Sequence, residues 1–219
     1  MNFPLLNNNR LIHGFIIVII IILIDQSTKF YIKLNYPLTI FSDQAILDWG
    51  FFKILFVENK GMAMGAKLND IIPFLTEKSA KLFLTVFRLI AILFIGFWMR
   101  NIYINKSSIY LRWSLCLILA GAIGNIIDSV FYGVIFDHSY QQISTFLPSK
   151  GYAPIFYGNV VDMIQFPLIE WTWPGWMPFI GGKNYLFFQY IFNIADSAIS
   201  IGVAILIFFN KNIFSKNQK

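Results

Sequence analysis

Four stretches of this chain are apolar almost without interruption, at roughly 11–32, 82–99, 110–132 and 186–209. Each is long enough for a helix that crosses a lipid bilayer, which takes about 20 residues. Polar residues gather in short flanks and in two longer segments, 35–80 and 133–185. The pattern predicts an α-helical integral membrane protein, a single membrane domain over 1–219 with four transmembrane helices. The first apolar run follows Arg10, as in a secretory leader. No small-x-small cleavage site follows it, however, and Asp25 and Lys29 stand where that site would be, so it reads as a retained anchor.

The two longer segments carry different patterns. "FFKILFVEN" (51–59) is rich in aromatic and branched residues and breaks at Asn59 and Gly61, which predicts a strand, a turn and a second short strand. A strand in open lipid would leave its backbone groups unpaired, so this small β-element belongs at the interface or against another strand. The other segment ends in "EWTWPGWMPFIGGKNY" (170–185), whose tryptophans suit an interfacial stretch in the headgroup layer.

Composition agrees with the spans: 57% of residues are hydrophobic and only 13% are charged, against about 25% charged in soluble domains. The charge is unevenly placed. Residues 1–10, 100–112 and 211–219 hold Arg10, Arg100, Lys106, Arg112, Lys211, Lys216 and Lys219, with no Asp or Glu. The positive-inside rule puts both termini and the loop between the second and third spans in the cytoplasm. The net charge of +6 is then an orientation signal, and nothing else points to nucleic acid. The single cysteine, Cys116, excludes an internal disulfide and a multi-cysteine metal site, and no HExxH zinc motif occurs.

Polar groups at membrane depth need a reason, because a charge there costs at least about 2.5–3.5 kcal/mol. Asp25 and Lys29 share a helix face in the first span. They either neutralise each other near the outer surface or line a polar cavity. In the third span, "LAGAIGNIIDSVFYG", Gly121 and Gly124 allow close approach of another helix, and Asn125 and Asp128 lie on one face. The fourth span repeats the device with Asn193 and Asp196. At 1.5 Å per residue Asp196 lies about 20 Å from Phe209, which is about 10 Å below the outer surface of a 30 Å core. The two Asn-x-x-Asp faces can therefore meet in the outer leaflet. Helix-to-helix hydrogen bonds explain the asparagines, but a carboxylate is a costly way to make them. Arg88 in the second span is expected to snorkel outward beside Lys81. Two carboxylates brought together cannot both ionise easily; one remains a base for water and the other remains protonated to polarise a carbonyl.

Five blocks in order resemble lipoprotein signal peptidase, the signal peptidase II family of bacterial intramembrane aspartyl proteases. They are "DQSTK" (25–29), "ENKGMAMG" (58–65), "GAIGNIID" (121–128), "GNVVDM" (158–163) and "FNIADSAISIG" (192–202). The resemblance implies an enzyme of the bacterial inner membrane with its site toward the outer leaflet. Its substrates would be diacylglyceryl-modified prolipoproteins, cut just before the lipidated cysteine, with membrane lipids as the surroundings, no cofactor, no metal and a monomeric protein. Carried over, the catalytic pair is Asp162 and Asp196. Asn59, Gly61, Asn125, Asn193, Asp128, Asp25 and Lys29 shape the site or contact substrate. The family's Arg after the third-block Asp is Ser129 here, with Arg88 a substitute, and Met64 and Met163 replace Phe. Ungapped spacing from Asp128 lands on Asp137; Asp162 is chosen because "GNVVDM" matches residue by residue, which makes 134–157 an insertion. A small proton-coupled transporter is the competing reading, but the inverted repeats such carriers show are missing from the sequence.

Overall fold

The structure, a computed structural model, describes residues 8–41, 45–60, 74, 76–105 and 107–214. Helix α1 spans Asn8–Asn35, α2 spans Glu77–Ile104 and α3 spans Ile109–Ile127. A π-helical turn, Asp128–Tyr132, carries α3 on into a short turn, Gly133–Ile135. After the strands come α4, Ile194–Phe208, and α5, Asn210–Phe214. Among the described residues, three helices are long and apolar enough to cross a membrane: Leu11–Asn35, Glu77–Ile104 and Ile109–Ile135. The protein is thus an α-helical membrane protein. Its apolar surface faces outward, with Ile19, Leu23, Phe87, Leu93 and Phe97 among the exposed side chains.

The last expected span, 186–209, needs correction. Helix begins only at Ile194, and residues before it form strands β5 (Asn184–Phe187) and β6 (Ile191–Phe192). "NYLFFQYIF" is apolar enough for a helix, but hydropathy does not separate a short apolar strand from a helical turn. At 15 residues, α4 is a shorter apolar helix.

Helix α3 is the centre of the bundle, packed on α1, α2 and α4. Glycine makes that closeness possible: a Cβ on Gly124 would press on the Asp25 carboxylate and on Ala195, and one on Gly121 would collide with the Ala195 carbonyl. The expected close approach at these two glycines is therefore made by α4 and α1 together.

A four-stranded antiparallel sheet caps one end, in the order β1 (Leu47–Asp48), β2 (Lys53–Asn59), β3 (Val160–Gln165), β6. Strand β2 finds its partner about a hundred residues away, with Val57 opposite Asp162 and Asn59 opposite Val160. The second short strand expected just after Gly61 falls outside the described residues, as do Gly61 and Met64 themselves. Alternation gives the sheet two faces. Phe56, Val161 and Met163 enter an apolar cluster with Ile32, Tyr132 and Phe136. Asn59 and Asp162 point the other way. The Trp-rich stretch forms a separate hairpin of β4 (Ile169–Thr172) and β5, where the rings of Trp171, Trp173 and Tyr185 pack together.

Residues 134–157 fold back on the end of α3. Ala153 N–H donates to the Gly133 carbonyl, Phe156 to Val130 and Gly158 to Ser129. The π turn shifts the helix register and leaves carbonyls at Ser129 and Val130 for these bonds. Gly158 lies so close to Asp128 that a Cβ would collide with its carbonyl. This contact delivers β3, and with it Asp162, to the polar end of the bundle.

Candidate active site

Asp196 sits in the first turn of α4, with Asn193 as the helix N-cap. The Asn193 Oδ1 accepts the Asp196 N–H (2.9 Å), and the Asn193 N–H donates to Asp196 Oδ2 (3.3 Å). This reciprocal pair is a capping box. A carboxylate at a helix N-terminus is also favoured by the unpaired N–H groups and the helix dipole. The Asn-x-x-Asp spacing read above as one helix face is thus a helix start, which explains much of why the chain tolerates a carboxylate here.

The same asparagine reaches the second carboxylate. Its Nδ2 donates to Asp162 Oδ1 (2.7 Å) and lies near Asn125 Oδ1 (3.1 Å) and the Val161 carbonyl (3.2 Å). Asn59 Nδ2 donates to Asp162 Oδ2 from the neighbouring strand (3.1 Å). Asn125 Nδ2 donates to Asp196 Oδ1 (2.8 Å). Each carboxylate is therefore oriented by two N–H donors, and Asn193 serves both. Burial, then the charge of Asp196, pushes the Asp162 carboxyl up to about 7.

Beneath the pair lies a buried ionic cluster. Lys29 Nζ is 2.9 Å from Asp25 and 2.9 Å from Asp128, and it donates to Asn125 Oδ1 (3.1 Å). Asp25 accepts the Ala195 N–H (2.9 Å), a further tie to the start of α4. Asp128 accepts the Val161 N–H (3.2 Å), a tie to β3. Of the two readings left open for Asp25 and Lys29, mutual neutralisation is present as an ion pair, but the pair is fully buried and shared with Asp128, Asn125 and the Ala195 N–H. Gln26, which sequence reasoning passed over, bonds Asp25, Asp128 and the Gly124 carbonyl and accepts from Tyr132. Its place inside the "DQSTK" block was the available signal.

A cavity of about 680 Å³ opens onto the two aspartates, between α2 and α4. Its walls are mostly apolar, with Ala91, Ala122, Phe188, Phe192 and Ile199 among them, and Asn59, Asn125, Asp162 and Asp196 supply the polar part. Arg88 lines the same cavity and interacts electrostatically with both aspartates, where snorkelling away beside Lys81 was expected. Lys81 instead donates to Asn159 (2.6 Å). Asp137 is elsewhere: its carboxylate accepts from Ser144 Oγ, Thr145 N–H and Thr145 Oγ1 within the folded-back loop. Ser129, where the resembled family carries Arg, donates to the Asn125 carbonyl (3.0 Å).

The arrangement is two carboxylates at a mostly apolar cavity, held by amides. A sequence profile described as signal peptidase II matches residues 17–211. The chain belongs to the signal peptidase II family. A lipoprotein signal peptidase of Porphyromonas gingivalis is 42% identical over 194 residues, covering 87% of this chain and 79% of that protein. One from Amoebophilus asiaticus is 33% identical over 193 residues, covering 87% and 74%. A solved structure of a bacterial membrane enzyme superposes with a TM-score of 0.56 at 23% identity, over 94% of this chain and 93% of that one, which speaks for the fold. Membership makes the protein an aspartic-type hydrolase of lipoprotein processing in a multi-pass membrane setting.

A second buried polar group, missed in the sequence, lies on the opposite face of the sheet. Lys33, fully buried, pairs with Glu58 and donates to Ser139 Oγ (2.8 Å), among the rings of Phe56, Phe136 and Tyr152. Glu58 also accepts from Ser139 (2.7 Å) and Asn159 (2.9 Å). Burial opposes ionisation of Glu58, but the Lys33 charge and these donors outweigh it and hold the carboxyl below its ordinary value. The signal was there in the spacing: Asp25, Lys29 and Lys33 fall on one helix face.

Proposed function

We propose that Asp162 and Asp196 are the catalytic dyad of an intramembrane endopeptidase that removes signal peptides from diacylglyceryl-modified prolipoproteins, cutting before the lipidated cysteine. The observation that carries the reading is that Asn193 bonds both carboxylates at the edge of one apolar cavity. The substrate enters laterally between α2 and α4. Its apolar signal segment lies against Phe188, Phe192 and Ile199, and its acyl chains stay in lipid.

Asp196, at the helix N-terminus, is the base. It takes a proton from a water whose oxygen bonds to the scissile carbonyl carbon. Asp162, which carries the dyad's proton, donates to the carbonyl oxygen. Collapse of the tetrahedral intermediate breaks the C–N bond: the leaving nitrogen takes the proton that Asp196 gained, and the hydroxyl that re-forms the carbonyl returns its proton to Asp162, which restores the starting dyad. Asn59, Asn125 and Asn193 fix the two carboxylates. Asp25, Lys29 and Asp128 fix the elements that bear them.

The membrane placement completes the proposal. Helix α4 with α5 makes the fourth crossing, both termini are cytoplasmic, and the sheet and cavity mouth face the outer leaflet of the inner membrane. The hairpin carrying Trp171, Trp173 and the exposed Trp176 rests in the headgroup layer. The whole chain is one membrane domain, and it acts as a monomer, since one chain supplies every group of the site. Purified protein incubated with lipidated prolipoprotein should release the signal peptide; an intact substrate after prolonged incubation would refute the reading. The same result would leave room for the transporter alternative, which has no cleavage to show.

A further inference from the structure

Arg88 is the only cationic side chain among the described residues that lines the cavity. It lies in an apolar helix, where an arginine is costly unless it has a task. Among the described residues it forms no ion pair within 4 Å. Its charge nevertheless acts on both Asp162 and Asp196. We infer that Arg88 is the counter-charge of the dyad, a positioning residue that holds the pair's single negative charge in the apolar cavity they share.

The charges around the dyad leave this task to Arg88. From α1 come Asp25 and Lys29, and from the end of α3 comes Asp128. The Lys29 charge also reaches Asp162, but it is shared between two carboxylates, so the triad as a whole carries a net negative charge. Strand β2 brings Asn59, which is neutral, while Glu58 and Lys33 pair on the other face of the sheet. Lys81, also on α2, is bonded to Asn159. Working hydrolysis needs one ionised and one protonated carboxyl. A monoanion in an apolar cavity beside a net negative cluster needs an opposing charge, and Arg88 is placed to supply it. The separation matters as well. A guanidinium in direct contact would tie up the base, whereas one beyond ion-pair distance stabilises it and leaves room for the peptide.

The inference rests on the dyad reading, and the test separates the two. Full-length protein is assayed with lipidated prolipoprotein across pH, as R88M, R88Q and R88K beside D162N and D196N. Without the positive charge both ionisations of the dyad become harder, so the activity bell of R88M moves to higher pH by about one unit. R88Q gives the same shift and carries the test if R88M does not fold. R88K keeps the charge and so keeps the wild-type limbs. An unmoved bell in R88M and R88Q overturns the inference. So does an R88K that loses as much as R88M through KM alone, because Arg88 would then be a substrate contact. If D162N and D196N are dead while the R88M bell is unmoved, only the inference on Arg88 fails. If D162N or D196N cleaves normally, the dyad reading itself fails.

Discussion

The Asn193 side chain donates to Asp162 at 2.7 Å while its carbonyl oxygen caps the Asp196 backbone amide at 2.9 Å. One residue therefore starts the helix that bears one aspartate and orients the aspartate on the facing strand.

These two tasks can be separated by substitution. N193D keeps a side chain that caps a helix but loses the N–H donor and adds a charge beside Asp162. With a buried carboxylate set against Asp162 and two carbonyl oxygens, it should melt below wild type and cleave at least about tenfold more slowly, a change of about 1.4 kcal/mol in the barrier. N193A loses both tasks and should also cost about 1–2 kcal/mol of stability. Melting temperatures in detergent and kcat on a lipidated substrate check both. An N193D enzyme with full activity would show that the Asn193–Asp162 bond has no catalytic use.

Acidity of Asp162 sets a pH limit. Burial and the Asp196 charge push its carboxyl up to about 7. A raised carboxyl keeps its proton below that value and loses it above. Since the dyad needs that proton to polarise the carbonyl, cleavage should decline as pH rises through about 7 toward 9. A rate that climbs steadily over that range would contradict the assigned role.

The buried Lys33–Glu58 pair should be a matter of stability. Removing one partner leaves an unpaired buried charge, so K33M should cost about 3–5 kcal/mol. The Glu58 carboxyl lies below its ordinary 4.5. Its contribution is therefore present above that ordinary value and lost as pH falls through the lowered one. Thermal melts of wild type between pH 6 and pH 3 should show the loss, and K33M should show less of it.

Gly158 and Gly175 make a paired control. A Cβ at Gly158 would meet the Asp128 carbonyl and approach Gly133 N at 3.0 Å, whereas one at Gly175 meets nothing within 4 Å. G158A should cost about 1–3 kcal/mol and slow cleavage by displacing β3. G175A should stay within about 0.5 kcal/mol of wild type. Equal stability of the two variants would mean that β3 does not depend on its contact with the π turn.

The helices were legible because lipid imposes one simple demand, about 20 apolar residues in a row. The expected 82–99 and 110–132 lie inside the observed helices, which run on to Ile104 and Ile135. The same rule misplaced the start of the last helix, since Tyr185–Phe192 is apolar but stranded. The stop signal was Asn193, whose capping role needed the spacing to Asp196 read as an N-cap and third position. The polar residues of the site could be picked out singly, because each is costly at membrane depth. Their pairings could not. Strand β2 meets β3 across about a hundred residues, and Glu58 meets Lys33 only once α1 and the sheet are packed. Arg88 illustrates the same limit: sequence gives its depth on α2, while its direction depends on a cavity that five other elements help to line.

The central claim is that Asp162 faces Asp196 as its working partner. Asp162 lines the cavity with Asp196, while Asp137 is bound to Ser144 and Thr145 in the loop. The direct measurement is signal-peptide release from a lipidated prolipoprotein by purified D162N, D196N and D137N. The account predicts no detectable release by D162N or D196N and release close to wild type by D137N. Release by D162N together with its loss in D137N would contradict it.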